Sequence, residues 1–329
     1  MTSQQASTPI DRDATVFVAG HRGLVGSAVV RRLRADGFTN VVTAARDQLD
    51  LRDQAAVNYW FRDHRPDHVF LVAGKVGGIM ANSTQPAAFL YDNLMIHATV
   101  VQAAHEYDVR KLLYLGSACV YPRDTAQPIS EEQLLTGPLE PTNEGYALAK
   151  ITGMQLCESY REQYGCDFIT AMPTNLYGPG DNFDLQGSHV LPALMRKAHE
   201  AKLAGIDRIE VWGSGTPTRE FLHADDLADA CLFLMDHYGG AGHLNVGTGI
   251  DTSIRQLAET VLEVVHPGAD LVFDASKPDG MPRRVLDVSK IEALGWRSST
   301  SLRDGIESTY AWFLDHATEL RGVESHALA

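Results

Sequence analysis

The sequence is poor in cysteine, has no long apolar stretch and carries a deficit of positive charge. Its four cysteines, Cys119, Cys157, Cys166 and Cys231, form no Cys-x-x-Cys pair in 329 residues. They read as free thiols in a reducing compartment, not as a disulfide framework. No apolar run reaches the roughly 18 residues of a membrane span, and residues 1–13 are polar, without the apolar core of a signal peptide. A flexible tail over 1–13 and a cytoplasmic location are therefore expected. Lys and Arg number 28 against 42 acidic residues, a net charge of −14. Such a surface repels phosphate backbones and anionic lipid, so neither nucleic acid nor a membrane is expected as a partner. A local cluster of Arg and Lys can still hold a small anion once salt screens the distant charge.

The length suits about two domains. Short apolar strands, expected at Thr15–Ala19, Asn40–Ala44, Val69–Ala73, Lys111–Leu115 and Phe168–Met172, alternate with helical stretches such as Leu24–Arg34 and Ala87–Tyr107. This pattern predicts an α/β fold, a doubly wound parallel sheet of Rossmann type. Past Tyr177 the pattern loosens. Residues 14–176, with a return segment near 219–249, read as a nucleotide-binding domain. Residues 177–218 and 250–329 read as a smaller α/β substrate lobe, and the strand-like Leu244–Val246 can rejoin the first sheet.

The first strand runs into Gly20-His21-Arg22-Gly23-Leu24-Val25-Gly26 and then a helix. Glycines there let the backbone approach a pyrophosphate, and the helix start offers free N–H groups and partial positive charge. The second strand ends at Arg46, where an NAD enzyme usually has an acid for the ribose 2′-hydroxyl. Arg46 and Arg22 suit a 2′-phosphate, which favours NADP(H) as cofactor. Asp50 and Leu51 would then border the adenine. Tyr146 and Lys150 lie four residues apart on one helical face. An ammonium beside a phenol lowers its pKa, and the pair can protonate a carbonyl oxygen as hydride arrives at carbon. Ser117 follows the fourth strand at the sheet's carboxyl edge, where such folds bind ligands. Cys119, two residues on, can face the same way, although a lone Cys is more often a small buried hydrophobe. His189 precedes a helix and by itself reads as a loop residue. No metal site is expected.

Longer motifs carry a resemblance. Lys75-Val76-Gly77-Gly78-Ile79, Gly116-Ser117-Ala118-Cys119-Val120-Tyr121-Pro122 and Glu140-Pro141-Thr142-Asn143-Glu144-Gly145-Tyr146-Ala147-Leu148-Ala149-Lys150 are among them. So are Met172-Pro173-Thr174-Asn175-Leu176-Tyr177-Gly178-Pro179, Gly187-Ser188-His189, Val211-Trp212-Gly213-Ser214-Gly215-Thr216-Pro217, Arg219-Glu220-Phe221-Leu222-His223 and Ser276-Lys277-Pro278-Asp279-Gly280. From about Thr15 to Trp312 the chain resembles the GDP-L-fucose synthase family of extended short-chain dehydrogenases. These are NADPH-dependent 3,5-epimerase/4-reductases of GDP-4-keto-6-deoxy-mannose. The resemblance implies reductase roles for Ser117, Tyr146 and Lys150, an epimerisation base in Cys119 and its acid in His189. It sets Gly20, Arg22, Gly23, Leu24, Val25, Gly26, Arg46, Lys150, Pro173, Asn175, Leu176 and His189 along the cofactor. It places Lys197, Trp212, Arg219, Asp279 and Arg284 at the GDP-sugar, and implies a homodimer. Ala118 stands where the family usually has Ser, Gly145 where it usually has Pro, and Lys197 and Arg284 look like Lys/Arg exchanges. Gly145 is expected to loosen the helix entry. Open alternatives are a nucleotide-sugar dehydratase or 4-epimerase, an enzyme reducing a related GDP-4-keto-6-deoxy-heptose, and a non-catalytic NADP-sensing protein.

Overall fold

The computed structural model describes residues 9–185, 187–277 and 279–317. In chain order β1 (Val16–Ala19) turns into α1 (Leu24–Ala35), then β2 (Val41–Val42), α2 (Gln54–His64), β3 (His68–Leu71), α3 (Ile79–Thr84), α4 (Pro86–Glu106), β4 (Lys111–Leu115), α5 (Glu144–Tyr164) and β5 (Asp167–Pro173). Beyond lie β6 (Asn175–Tyr177), α6 (Val190–Ala204), β7 (Arg208–Trp212), β8 (Thr218–Arg219), β9 (Phe221–His223), α7 (Ala224–His237) and β10 (His243–Val246). The chain closes with β11 (Thr252–Ser253), α8 (Ile254–Val265), β12 (Asp270–Asp274), β13 (Arg283–Arg284), α9 (Ser289–Leu294) and α10 (Leu302–His316).

Six strands form one parallel sheet in the order β10-β5-β4-β3-β1-β2. Strands β1, β3 and β4 are buried along their whole length, as their largely apolar content, after the leading His68 and Lys111, requires of a sheet covered on both faces. The order reverses direction between β1 and β3, so the ligand crevice of a doubly wound sheet opens above that point. β10 does rejoin the sheet, pairing Leu244 with Ala171 and Val246 with Pro173.

A second hydrophobic core holds the lobe together, with Tyr177, Phe183, Met195, Leu257, Ile306 and Phe313 at its centre. The split between the two cores differs from a simple cut at residue 250. Leu286, Val288, Ile291 and Trp296 pack into the first core, because the chain crosses back where Ile129 bridges Leu286. The carboxylate of the fully buried Glu220 locks that crossing, accepting from the backbone N–H groups of Thr248, Gly249 and Leu286. At the other end, Ile10 is buried and its N–H donates to Asp236 Oδ1 at 2.8 Å. Arg12 lies over the Phe38 ring. The end of the expected tail is thus packed, while residues 1–8 lie outside the described residues.

Candidate active site

The glycine turn works by close approach. A Cβ on Gly26 would sit 2.1 Å from the Gly20 carbonyl oxygen, and one on Gly20 2.8 Å from Ala73 Cα, with Gly20 at φ +97°. These contacts press α1 against the β1 turn. Gly23, the residue before α1, makes no side-chain cap, so the helix's first N–H groups remain available to an anion. Leu24 and Val25 sit half-buried on the first helical turn. Arg22, within this turn, and Arg46, after β2, are exposed and make no ion pair among the described residues. A glycine cradle together with two guanidinium groups outside any close ion pair fits a dinucleotide carrying an additional phosphate. Asp50 has a partner within the protein: Arg52 holds it at 2.6 Å and also reaches Asp92 at 2.8 Å, and the Arg52 hydrogen bonds, with a smaller effect of the Arg46 charge, pull the Asp50 carboxyl down to about 2. Leu51 contributes its carbonyl to Thr99.

The reactive cluster stands at the carboxyl end of β4. Ser117 is held extended (φ −165°, ψ 138°) before a single 3₁₀ turn over Ala118–Val120, and its N–H donates to Met172 Sδ at 2.9 Å. α5 delivers Tyr146 and Lys150. Glu140 caps the preceding turn by accepting from Thr142, Glu144 suits the positive helix start, and Gly165 (φ 74°) ends the helix. Gly145 sits in a close-packed spot at this entry. A Cβ there would lie 3.0 Å from the Pro86 carbonyl oxygen, so glycine lets the starts of α4 and α5 pack tightly.

Lys150 is 3% exposed, donates to the Leu115 carbonyl at 2.7 Å and lies 5.9 Å from the Tyr146 ring centre. Burial without a carboxylate partner brings its ammonium down to about 8. Tyr146 is half-buried; crowding by protein and the Cys119 thiol push its phenol up, while a Ser117 hydrogen bond pulls it down. Cys119 is half-buried too. Burial raises its thiol, against a hydrogen bond from Ser117 and the charges of Arg284 and Lys150. Ser117, Cys119, Tyr146, Lys150 and Arg284 therefore share one locus. Arg284 donates to the carbonyls of Ala118 at 2.8 Å and Tyr121 at 3.0 Å, and its buried Nε has no partner.

His189 is the residue just before α6. The loop leading to it is stitched to the Gly77-Gly78 pair, whose Gly78 N–H donates to the Gly187 carbonyl at 3.2 Å. His189 is exposed to solvent, yet crowding by surrounding protein holds its imidazole below its ordinary value. No hydrogen bond links it to the Ser117 cluster among the described residues. Pro173 ends β5, Asn175 donates to the Glu220 carbonyl at 2.9 Å, and Leu176 is half-buried. On the lobe side Trp212 is 63% exposed with Lys197 5.4 Å and Lys277 5.6 Å from its ring. Burial, and after it the charge of nearby Arg284, holds the Arg219 guanidinium below its ordinary value, which suits an anion beside it. Asp279 is engaged by Ser214, whose N–H and hydroxyl it accepts at 2.9 and 2.7 Å.

Sequence reasoning passed over Met172, the Leu115 carbonyl, Lys277 and Asn93. Asn93 binds both backbone groups of Lys75 and packs by Gly74, 3.0 Å from the position of a Cβ there. The pairing of β4 with β5 brings Met172 and the Leu115 carbonyl to the site, and that of β7 with β12 brings Lys277 to Trp212; no local motif signals either.

Comparison with known proteins adds the decisive observation. Residues 16–247 match the model of the NAD dependent epimerase/dehydratase family. The chain is 55% identical over 310 residues to GDP-L-fucose synthase 1 of Arabidopsis thaliana, covering 94% of this chain and 96% of that protein. It is 52% identical over 316 residues to GDP-L-fucose synthase of Escherichia coli (strain K12), covering 93% and 98%. The chain belongs to the GDP-L-fucose synthase family. Among solved structures, a GDP-L-fucose synthetase from Naegleria fowleri bound to NADP superposes with a TM-score of 0.92 at 30% identity, over 98% of this chain and 100% of that one. Membership in this family of epimerase/reductases makes the chain an NADP(H)-dependent oxidoreductase with epimerase activity.

Proposed function

We propose that this chain converts GDP-4-keto-6-deoxy-D-mannose to GDP-L-fucose by 3,5-epimerisation followed by NADPH-dependent 4-keto reduction. The observation that carries this reading is the single locus of Ser117, Cys119, Tyr146 and Lys150, in a chain so close to the GDP-L-fucose synthases. Substrate-dependent oxidation of NADPH by the purified protein tests it, and a protein that leaves NADPH unchanged in the presence of that sugar nucleotide contradicts it.

The 4-ketone acidifies the neighbouring C–H bonds at C3 and C5. The Cys119 thiolate removes the proton, and the electron pair moves onto the carbonyl oxygen as an enolate. Tyr146 Oη donates a hydrogen bond to that oxygen, and the Lys150 ammonium steadies the charge. His189 protonates the carbon from the other face, restoring the ketone with inverted configuration. In the reductive step Tyr146 gives its proton to the C4 oxygen, with Ser117 orienting both groups. NADPH, when bound, supplies the hydride. Gly20, Gly23, Gly26 and the α1 N-terminus would hold its pyrophosphate, and Arg22 and Arg46 its 2′-phosphate. Arg219 and Arg284 face the substrate diphosphate, and Lys197 and Trp212 its guanosine side.

Arg46 carries the cofactor choice. Arg46→Asp should reduce the preference for NADPH over NADH by about 10–100-fold, the effect of one lost charge-assisted contact. Steady-state kcat/KM with each cofactor measures it, and equal use of both cofactors by the unmodified protein would rule the assignment out.

The proposal extends to a cytoplasmic homodimer. The outer surfaces of α4 and α5 expose Tyr91 (61%) and Leu148 (42%), large apolar groups that pairing would cover. Light scattering should return twice the chain mass, and a stable monomer contradicts the pairing. No helix among the described residues is long and apolar enough to cross a membrane.

A further inference from the structure

Behind Lys150 lies a buried polar knot that the mechanism above does not use. Tyr114 on β4 is fully buried and His97 on α4 is 1% exposed. Tyr114 Oη donates to the Lys150 carbonyl at 3.2 Å and meets His97 Nδ1 at 3.2 Å. His97 Nδ1 also faces the Ala149 carbonyl at 3.3 Å. A carbonyl accepts only, so Nδ1 carries the proton, which the Ala149 carbonyl and Tyr114 Oη share as acceptors. The hydroxyl's own proton is thereby aimed at the Lys150 carbonyl. Meanwhile the face of the Tyr114 ring lies 5.2 Å from the Lys150 ammonium, and the next residue, Leu115, accepts from that ammonium. Gly153 makes room for all of this. A Cβ there would fall 2.5 Å from Tyr114 Oη and 2.9 Å from His97 Nδ1.

We infer that Tyr114 is a positioning residue for the reductive step, gripping Lys150 at both ends, by its hydroxyl on the backbone carbonyl and by its ring under the ammonium. The inference rests on Lys150 and Tyr146 acting as proposed above. Tyr114 is not itself an acid, since complete burial pushes its phenol far above the ordinary range. The titratable groups facing Lys150 are Tyr146 from α5, Cys119 from the 3₁₀ turn, His97 from α4 and Tyr114 from β4. His97 is kept neutral by burial and by the Lys150 charge, so it adds no positive charge. The ring face favours the charged form of Lys150, and removing it shifts loss of the ammonium to lower pH.

The test is NMR titration of protein labelled with ε-13C-lysine, without substrate or cofactor, with the Lys150 signal assigned by its loss in Lys150→Met. The unmodified protein should titrate near the value of about 8 set by burial. Tyr114→Phe keeps the ring and should keep that midpoint, while kcat for ketone reduction falls roughly tenfold at unchanged KM, because the Lys150 backbone is no longer pinned. Tyr114→Leu should lower the midpoint by roughly one unit, the scale of a buried cation–π contact, and move the alkaline limb of kcat down with it. A Tyr114→Leu midpoint that stays or rises, or a Tyr114→Phe enzyme with unchanged kcat, overturns the inference. The titration needs no turnover, so a protein with the expected midpoints but no reaction with the sugar nucleotide would refute the proposed function and leave the grip on Lys150 standing.

Discussion

Tyr146→Phe should bind NADPH as the unmodified protein does and reduce the 4-ketone at least about 100-fold more slowly, the scale of lost general-acid catalysis. The substitution keeps the ring, its edge contact with Phe89 at 6.4 Å between centres and its place over Lys150. It removes only the hydroxyl. Crowding holds that phenol above its ordinary range in the free protein, so its proton is present at neutral pH. The developing negative charge of the reacting oxygen then drives the transfer, with the Lys150 ammonium to steady what is left behind. Cofactor fluorescence titration and single-turnover oxidation of NADPH separate the two effects. A variant with near-normal turnover would show that the proton comes from another group.

Cys119→Ser should abolish proton exchange at the sugar carbons while sparing hydride transfer. Serine is close in shape but a far weaker base at neutral pH than a thiolate. Burial works against the thiolate here, and Ser117, Arg284 and Lys150 work for it; a basic thiolate held by these groups is suited to taking a proton from carbon. The variant should bind substrate and cofactor and incorporate little deuterium from solvent at C3 and C5. Its residual reduction should yield the unepimerised sugar, because the ketone is still open to hydride. His189→Asn should behave differently, allowing proton removal with impaired inversion, so that exchange and product configuration come apart. If Cys119→Ser exchanges deuterium at the unmodified rate, the residue is a packing thiol.

Local chemistry made much of this site legible in the sequence. The strand-to-helix glycine turn, Ser117 after an apolar strand and the four-residue spacing of Tyr146 and Lys150 each declare themselves within a few residues, and the structure places them at one sheet edge. Lys111–Leu115 is a strand over the expected residues, and Leu24 starts α1. What sequence reading missed is long-range. β2 pairs over Val41–Val42 alone, shorter than the strand expected over Asn40–Ala44. Residues 285–296 cross back to the first core through Glu220, a buried acid far away in sequence. Asp50 and Asp279, read as ligand contacts, are also partners of Arg52 and Ser214. The grip of Tyr114 and His97 on Lys150 joins three elements that no periodicity relates, and only the fold makes Gly153 their point of entry.

The central claim is that one site performs both carbon-acid exchange and ketone reduction. Its most direct test is incubation of the unmodified protein with GDP-4-keto-6-deoxy-D-mannose and NADPH in deuterated water, with the product analysed by NMR. The account predicts GDP-L-fucose carrying solvent deuterium at both C3 and C5 and hydrogen from NADPH at C4. A product reduced at C4 but protonated and unchanged in configuration at C3 and C5 would contradict it.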